Sequence, residues 1–371
     1  MTLDATTGPW WRDAVVYQIY PRSFCDTMGN GVGDLGGIRR HLGHIADLGV
    51  DAIWLSPVFT SPMADHGYDV ADYCDIDPMF GDLAEFDQLL VEAHELGLRV
   101  LLDWVPSHTS DQHPWFLESK SSRNNPKREW YIWVDGEPTS PPNAWPAQFP
   151  EGPAWTWDAT TGAWYLRHFT PEQPDLDWSN PEVRAAMHDT LRFWLDRGVD
   201  GFRMDVIHLI GKDRSRVGTD ADDPINDELT HEYLREIRVL LDSYPDDRMA
   251  VGEVFMFDID RAATFFGDDD ELHLLFNFEM VWAQWDAATF RRTISRAQSA
   301  IEPRRAWPTW ALGNHDIPRL RTRYGSEAAA RAAAVVLLTL RGTPFIYAGD
   351  ELGLSDADVS PEQAEDPAGF R

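Results

Sequence analysis

Cysteine is almost absent. Cys25 and Cys74 are the only two in 371 residues, and neither falls in a Cys-x-x-Cys or Cys/His spacing. This excludes a disulfide framework and a zinc-ligand set, so two free thiols in a reducing compartment are expected. Lysine is nearly as scarce: Lys120, Lys127 and Lys212 are the only three, and the positive charge is almost all arginine. Thirty-two basic residues face 62 acidic ones, a net charge of −30. Such a polyanion repels nucleic acid and anionic membranes, so neither is expected as a partner and a neutral substrate is. No apolar run approaches the roughly 20 residues of a membrane span. The start, MTLDATTGPWWRDAVVYQIY, has no basic stretch ahead of an apolar one. No signal peptide is read there, and a cytoplasmic location is expected.

What is abundant is tryptophan, 17 residues, many of them between Trp104 and Trp178 in Pro-rich sequence. Two uses fit equally: a core for an irregular subdomain, and a cleft lining for ligands with apolar faces, such as sugar rings. Elsewhere short apolar runs alternate with amphipathic stretches. The runs are Ala14–Pro21, Asp51–Pro57, Leu98–Val105, GVDGFRMDV, Arg248–Phe255, Leu272–Glu279, Pro308–Asp316 and Thr343–Gly353. Between them, Leu35–Gly49, Asp82–Gly97, Pro181–Gly198, Asn226–Ser243 and Ser326–Gly342 have helical spacing, several with capping residues or terminal glycines. Eight strands alternating with helices predict an α/β fold, a (β/α)8 TIM barrel. A doubly wound open sheet is the alternative, but no GxGxxG follows the first strand. The stretch 105–174 lacks helical period and is expected to be an inserted domain, with the barrel formed by 1–104 and 175–371.

Each strand carries polar residues toward its C-terminal end: Asp103 and His108 at the third, Arg203 and Asp205 at the fourth, Glu253 at the fifth, His315 and Asp316 at the seventh. A barrel brings these ends to one face, where active sites of this fold lie. In GFRMDV, side chains of a strand alternate, so Arg203 and Asp205 share a face. Breaking a glycosidic bond with retention needs two carboxylates, one as nucleophile and one as acid/base. Arg203 beside Asp205 would keep a nucleophile ionised. Partial burial and neighbouring carboxylates would raise the pKa of Glu253, as an acid requires. A third carboxylate, Asp316, would stabilise positive charge on a sugar ring.

On these residues the chain resembles glycoside hydrolase family 13, the α-amylase clan, in its oligo-1,6-glucosidase/α-glucosidase branch. Eight motifs occur in the family's order: AVVYQIYPRSF, GYDVADY, DWVPSHTSDQHPWF, QPDLDW, GFRMD, GEV, GNHDIPR and GTPFIYAGDELG. The resemblance implies that Asp205 is the nucleophile, Glu253 the acid/base and Asp316 the transition-state stabiliser. Arg203, His108 and His315 would surround the sugar, Tyr68 would stack on it, and Asp65, Asp103 and Phe169 would complete the pocket. The 105–174 insertion would be the family's domain B. Valine after the nucleophile, as at Val206, is associated in this branch with α-1,6 cleavage, and Ala or Thr with α-1,4; the plain alternative is that Val206 is a strand residue. The implied activity is a retaining, exo-acting α-glucosidase on short oligosaccharides. A related transglycosylase or isomerase, and a catalytically silent barrel used for binding or assembly, are the alternatives.

Three departures stand out. Ser107 replaces an asparagine in DWVPSHTS, and Asp177 replaces another in QPDLDW. In CDTMGNGVGD, Met28 and Asn30 replace oxygen-rich residues of a cation loop. Asp26, Asn30, Asp34 and the Val32 carbonyl are the ligands expected if it holds a structural Ca²⁺; no cofactor is required for the chemistry. The chain also ends at Arg371, where the family continues with the last barrel helix and a C-terminal β domain. A barrel without that helix is expected to expose apolar surface, and a C-terminal segment or second chain to complete it.

Overall fold

Parallel strands form where the sequence runs short and apolar. A computed structural model describes residues 8–149, 152–217, 219 and 223–360. Eight barrel strands appear in it: β1 (Val16–Ile19), β2 (Ala52–Leu55), β3 (Arg99–Trp104), β4 (Gly201–Met204), β5 (Met249–Gly252), β6 (Leu274–Leu275), β7 (Thr309–Ala311) and β8 (Thr343–Tyr347). Their order around the sheet is β6-β5-β4-β3-β2-β1-β8-β7, and every pair is parallel. This is a nearly closed (β/α)8 barrel.

The two-residue alternation sorts the core. Tyr17, Ile19, Ile53, Leu55, Val100, Leu102, Phe202 and Met204 lie outward against the helices. Val16, Ala52, Trp54, Leu101, Met249, Val251, Leu274, Ala311 and Phe345 fill a second, inner cluster. The inner parity continues through Gln18, Asp103, Arg203 and Glu253 to the C-terminal ends, so polar residues crown the apolar interior on one side. Gly201 is obligatory in this packing: a Cβ there would stand 2.3 Å from the Met249 carbonyl oxygen.

Helix ends follow the sequence signals. Asp82 accepts the Glu85 N–H at 2.8 Å and caps helix Leu83–Glu95, and Gly97 beyond it adopts φ +78°. Asn180 with Pro181 opens helix Pro181–Arg197, which ends at Gly198 with φ +104°. Both cysteines are free.

Strand lengths differ from the sequence reading. β4 stops at Met204, leaving Asp205 and Val206 in the turn beyond it. β6 keeps two residues because Asn277 accepts the Met280 N–H at 3.2 Å and starts a short helix, Phe278–Val281. The stretch 105–174 is more regular than expected. It holds helix Pro114–Ser121 and a three-stranded antiparallel sheet with Ala163–Leu166 between Trp133–Asp135 and Trp155–Asp158. Trp145, Trp155 and Trp164 with Ile132 and Leu166 form its own core, so for these tryptophans the core use holds. After β8 the described chain runs in turns, and Val335, Leu338, Leu352 and Leu354 are exposed.

Among the described residues no ladder joins β6 to β7. Arg323 spans that seam: its Nη1 donates to the Leu312 carbonyl at 2.7 Å and its Nη2 to the Val281 carbonyl at 2.7 Å. Arg323→Leu leaves those partly buried carbonyls unpaired, at a cost of about 1–3 kcal/mol. A melting temperature lowered by a few degrees checks this; an unchanged one contradicts the seam assignment.

Candidate active site

Arg203 is the hub of the crown. It is 2% exposed. Its Nη1 donates to Asp103 Oδ1 and to Asp205 Oδ1, each at 2.7 Å, and its Nη2 to Glu253 Oε2 at 2.5 Å. Strand register explains the first pair, since Asp103 and Arg203 are direct neighbours on β3 and β4. The guanidinium also lies over the Trp54 ring, 5.3 Å from its centroid. The charges that GFRMDV places on one face are therefore paired at the mouth of the barrel interior.

Three carboxylates share one cation, so they cannot all be equally ionised. Burial pushes Asp205 well above the usual carboxylate range; Arg203 opposes this, and Glu253 and Asp103 reinforce it. Burial also raises Asp103 against the pull of Arg203. Glu253 is the exception. Burial acts on it too, but Arg203, the Val206 N–H at 3.1 Å and a hydrogen bond with Asp205 outweigh that and hold it low. This corrects the sequence expectation. Glu253 has the shorter contact to Arg203 and an extra N–H donor, which is why it is the one held low.

Val206 sits at φ +34°, ψ +42°, a left-handed conformation that a β-branched side chain seldom adopts. The turn aims its N–H at Glu253. Val206 is thus not a strand residue; its backbone strain lies beside the reacting groups.

Around this hub the other expected residues assemble. Tyr68 Oη lies 3.3 Å from Asp103 Oδ2 and 2.7 Å from His315 Nε2, and its ring stacks on the His315 ring. Asp316 lies 3.3 Å from His315 Nε2 but is half exposed, at the rim. His108 and Asp65 join through Gln173, whose Nε2 lies 3.1 Å from His108 Nε2 and 2.8 Å from Asp65 Oδ2. Burial keeps His108 neutral, its pKa pushed down to about 4. Phe169 packs on the His108 ring at 5.1 Å. All the expected pocket residues therefore belong to one connected set.

Several members were missed in the sequence. Gln18 lies 2.8 Å from His315 Nδ1. Lys212, fully buried, reaches the Ser107 carbonyl at 3.4 Å and Asp175 at 3.5 Å, clasping both chain passages into the insertion. Phe255, two residues past Glu253, is 47% exposed and packs edge-on against Phe278 at 4.9 Å. One signal was available for Lys212, a single lysine in an otherwise apolar stretch, VIHLIGK. The Asp177 departure has a partner, since Arg214 pairs with that carboxylate. The Ser107 hydroxyl is buried without one.

The loop Asp26–Asp34 does not present a cation cage. Asp26 accepts the N–H groups of Met28, Gly29 and Gly31. Asn30 accepts that of Val32. Asp34 caps helix Leu35–Asp47 through Gly37 and holds Thr27. The side-chain oxygens expected as ligands close the loop through these hydrogen bonds. Among the described residues no cluster of His, Cys, Asp or Glu forms a metal site.

Asp205 gives a stability prediction. Its folded pKa is raised above the unfolded value, so its ionisation cost appears as pH climbs and is complete above the folded pKa. Asp205→Asn should raise the melting temperature at pH 8 and do so less at pH 5; a lower melting temperature at pH 8 contradicts the raised pKa of Asp205.

The site can be set beside known proteins. The family model for the alpha amylase catalytic domain matches residues 18–371. A probable alpha-glucosidase of Rhizobium meliloti (strain 1021) is 43% identical over 100% of this chain and 74% of its own length. An oligo-1,6-glucosidase of Heyndrickxia coagulans is 41% identical over 96% of this chain and 69% of its own. The solved structure of the alpha-glucosyl transfer enzyme XgtA superposes with a TM-score of 0.90 at 44% identity, covering 98% of this chain and 72% of that one. With eight parallel strands, an insertion after the third and three carboxylates at the strand ends, the chain belongs to the α-amylase family of glycoside hydrolases, glycoside hydrolase family 13.

Proposed function

We propose that the protein is a retaining α-glucosidase that removes terminal glucose from short α-linked oligosaccharides, with Asp205 as nucleophile, Glu253 as acid/base and Asp316 stabilising the charged sugar. One observation carries this reading: Asp205 and Glu253 are both held by one buried guanidinium, through Nη1 and Nη2 of Arg203. Inversion needs a water between the two carboxyl groups, at about 6.5–9.5 Å separation. Two carboxylates gathered on one guanidinium fit the closer spacing of a retaining pair and support that reading.

Asp205 attacks as the anion, and Glu253 donates a proton to the leaving oxygen. A sugar wedged against Arg203 and Glu253 would loosen the contacts that hold Glu253 low. After the glucosyl–Asp205 ester forms, Glu253 is the base that activates water. His108 is neutral and buried, suited to hydrogen bonding with sugar hydroxyls through an uncharged ring.

Phe255 favours a second reading, glucosyl transfer. An exposed aromatic two residues past the acid/base offers a face on which an incoming acceptor sugar can stack. XgtA, 44% identical, is a transfer enzyme. Linkage preference rests on Val206, with α-1,6 favoured.

Glu253→Gln should lower turnover of p-nitrophenyl α-glucoside by about 10²–10⁴-fold, and Asp205→Asn at least as far, with the fold intact by circular dichroism. Wild-type rates in either variant would remove these roles. On isomaltose, maltose, sucrose and trehalose, NMR should show the α-anomer released first, with isomaltose preferred. Val206→Thr should move the preference toward maltose; a ratio unmoved by the change takes linkage control away from Val206.

A further inference from the structure

We propose that Gln18 is a positioning residue that fixes His315 in the Nε2–H tautomer, so that its one ring N–H faces Tyr68 and Asp316. The functional importance of this rests on the glucosidase reading above; the tautomer itself does not.

The assignment comes from both sides of the ring. On the Nε2 side stand two acceptors. Asp316 Oδ1 lies at 3.3 Å, and the Tyr68 hydroxyl at 2.7 Å. That hydroxyl has its own proton committed elsewhere: it faces Asp103 Oδ2 at 3.3 Å, a carboxylate oxygen, and receives Arg203 Nη1 at 3.3 Å. A proton on Nε2 is therefore what this side requires. On the Nδ1 side stands a donor. Gln18 Nε2 approaches Nδ1 at 2.8 Å and the Ser56 hydroxyl at 3.2 Å, so its two N–H groups are both used. Gln18 is 1% exposed and Ser56 0% exposed, and no solvent competes for either contact. A ring with its proton on Nδ1 would set N–H against N–H there and leave Asp316 and Tyr68 facing a ring nitrogen with no hydrogen.

The placement explains why a glutamine belongs inside the barrel. Gln18 occupies the inward parity of β1, paired in register with Trp54 on β2 and Tyr347 on β8. Its amide is the start of an ordered chain, Gln18 to His315 to Tyr68 to Asp103, that ends on the same carboxylate Arg203 holds. β1, β3, β7 and the loop after β2 are thereby tied to the reacting pair without an added charge.

The test separates shape from tautomer. Gln18→Glu keeps the size but replaces the donor with an acceptor, which demands a proton on Nδ1. With ¹⁵N-histidine-labelled full chain, the His315 signals are identified by their loss in His315→Asn. The wild type should show Nε2 protonated and Nδ1 bare; Gln18→Glu should show Nδ1 protonated. Its kcat on p-nitrophenyl α-glucoside should fall about tenfold, the worth of one misdirected hydrogen bond, with KM within twofold. A protonated Nδ1 in the wild type, an unchanged tautomer in Gln18→Glu, or a kcat within twofold of wild type overturns the proposal. A wild type without glucosidase activity contradicts the functional reading alone, since the NMR measurement needs no turnover.

Discussion

One guanidinium held among three buried carboxylates is the constraint on which the site depends. Arg203 cannot lose its proton and cannot reach water, so it must be paired; Asp103, Asp205 and Glu253 must in turn crowd around the only cation they have. That crowding is unfavourable for the carboxylates as a group. The barrel holds this arrangement by geometry. Asp103 and Arg203 are register partners, Asp205 follows two residues later, and Glu253 continues the inward parity of the neighbouring strand.

Most of the fold was legible because its signals are local. Two-residue alternation, Asp82 as a cap, and Gly97 and Gly198 as helix stops all act within a few residues. The insertion was legible as an interruption but not as a structure. Its tryptophans hide any two-residue pattern, since both faces of a small Trp-rich sheet find apolar neighbours. The short β6 was hidden as well, because Leu272–Glu279 looks like a strand until Asn277 is seen capping a helix.

The site divides the same way. Residues with chemistry of their own, such as Asp205, Glu253 and His315, could be named from their strand-end positions and the family motifs. Gln18, Gln173 and Lys212 act only through what they touch across the fold, at sequence separations of 297, 65 and 105 residues. No local pattern marks such residues. The direction of the Glu253 shift was misjudged for a related reason. Arg203 was assigned to Asp205 as its neighbour in the chain, whereas its shorter contact is to Glu253, 50 residues away.

The unladdered seam between β6 and β7 bears on how the chain can assemble during synthesis. β1 has two edges, one taken by β2 and the other by β8, which emerges more than 300 residues later. Until then β1 to β6 form an open sheet with two free edges, the form most exposed to wrong pairing. The last two strands pair with each other, and β8 with β1, so they dock as a unit onto the oldest strand rather than adding to the newest. The ladder therefore closes the barrel at the β1 edge, and at the β6 side, where no ladder joins β6 to β7 among the described residues, the side chain of Arg323 bridges instead.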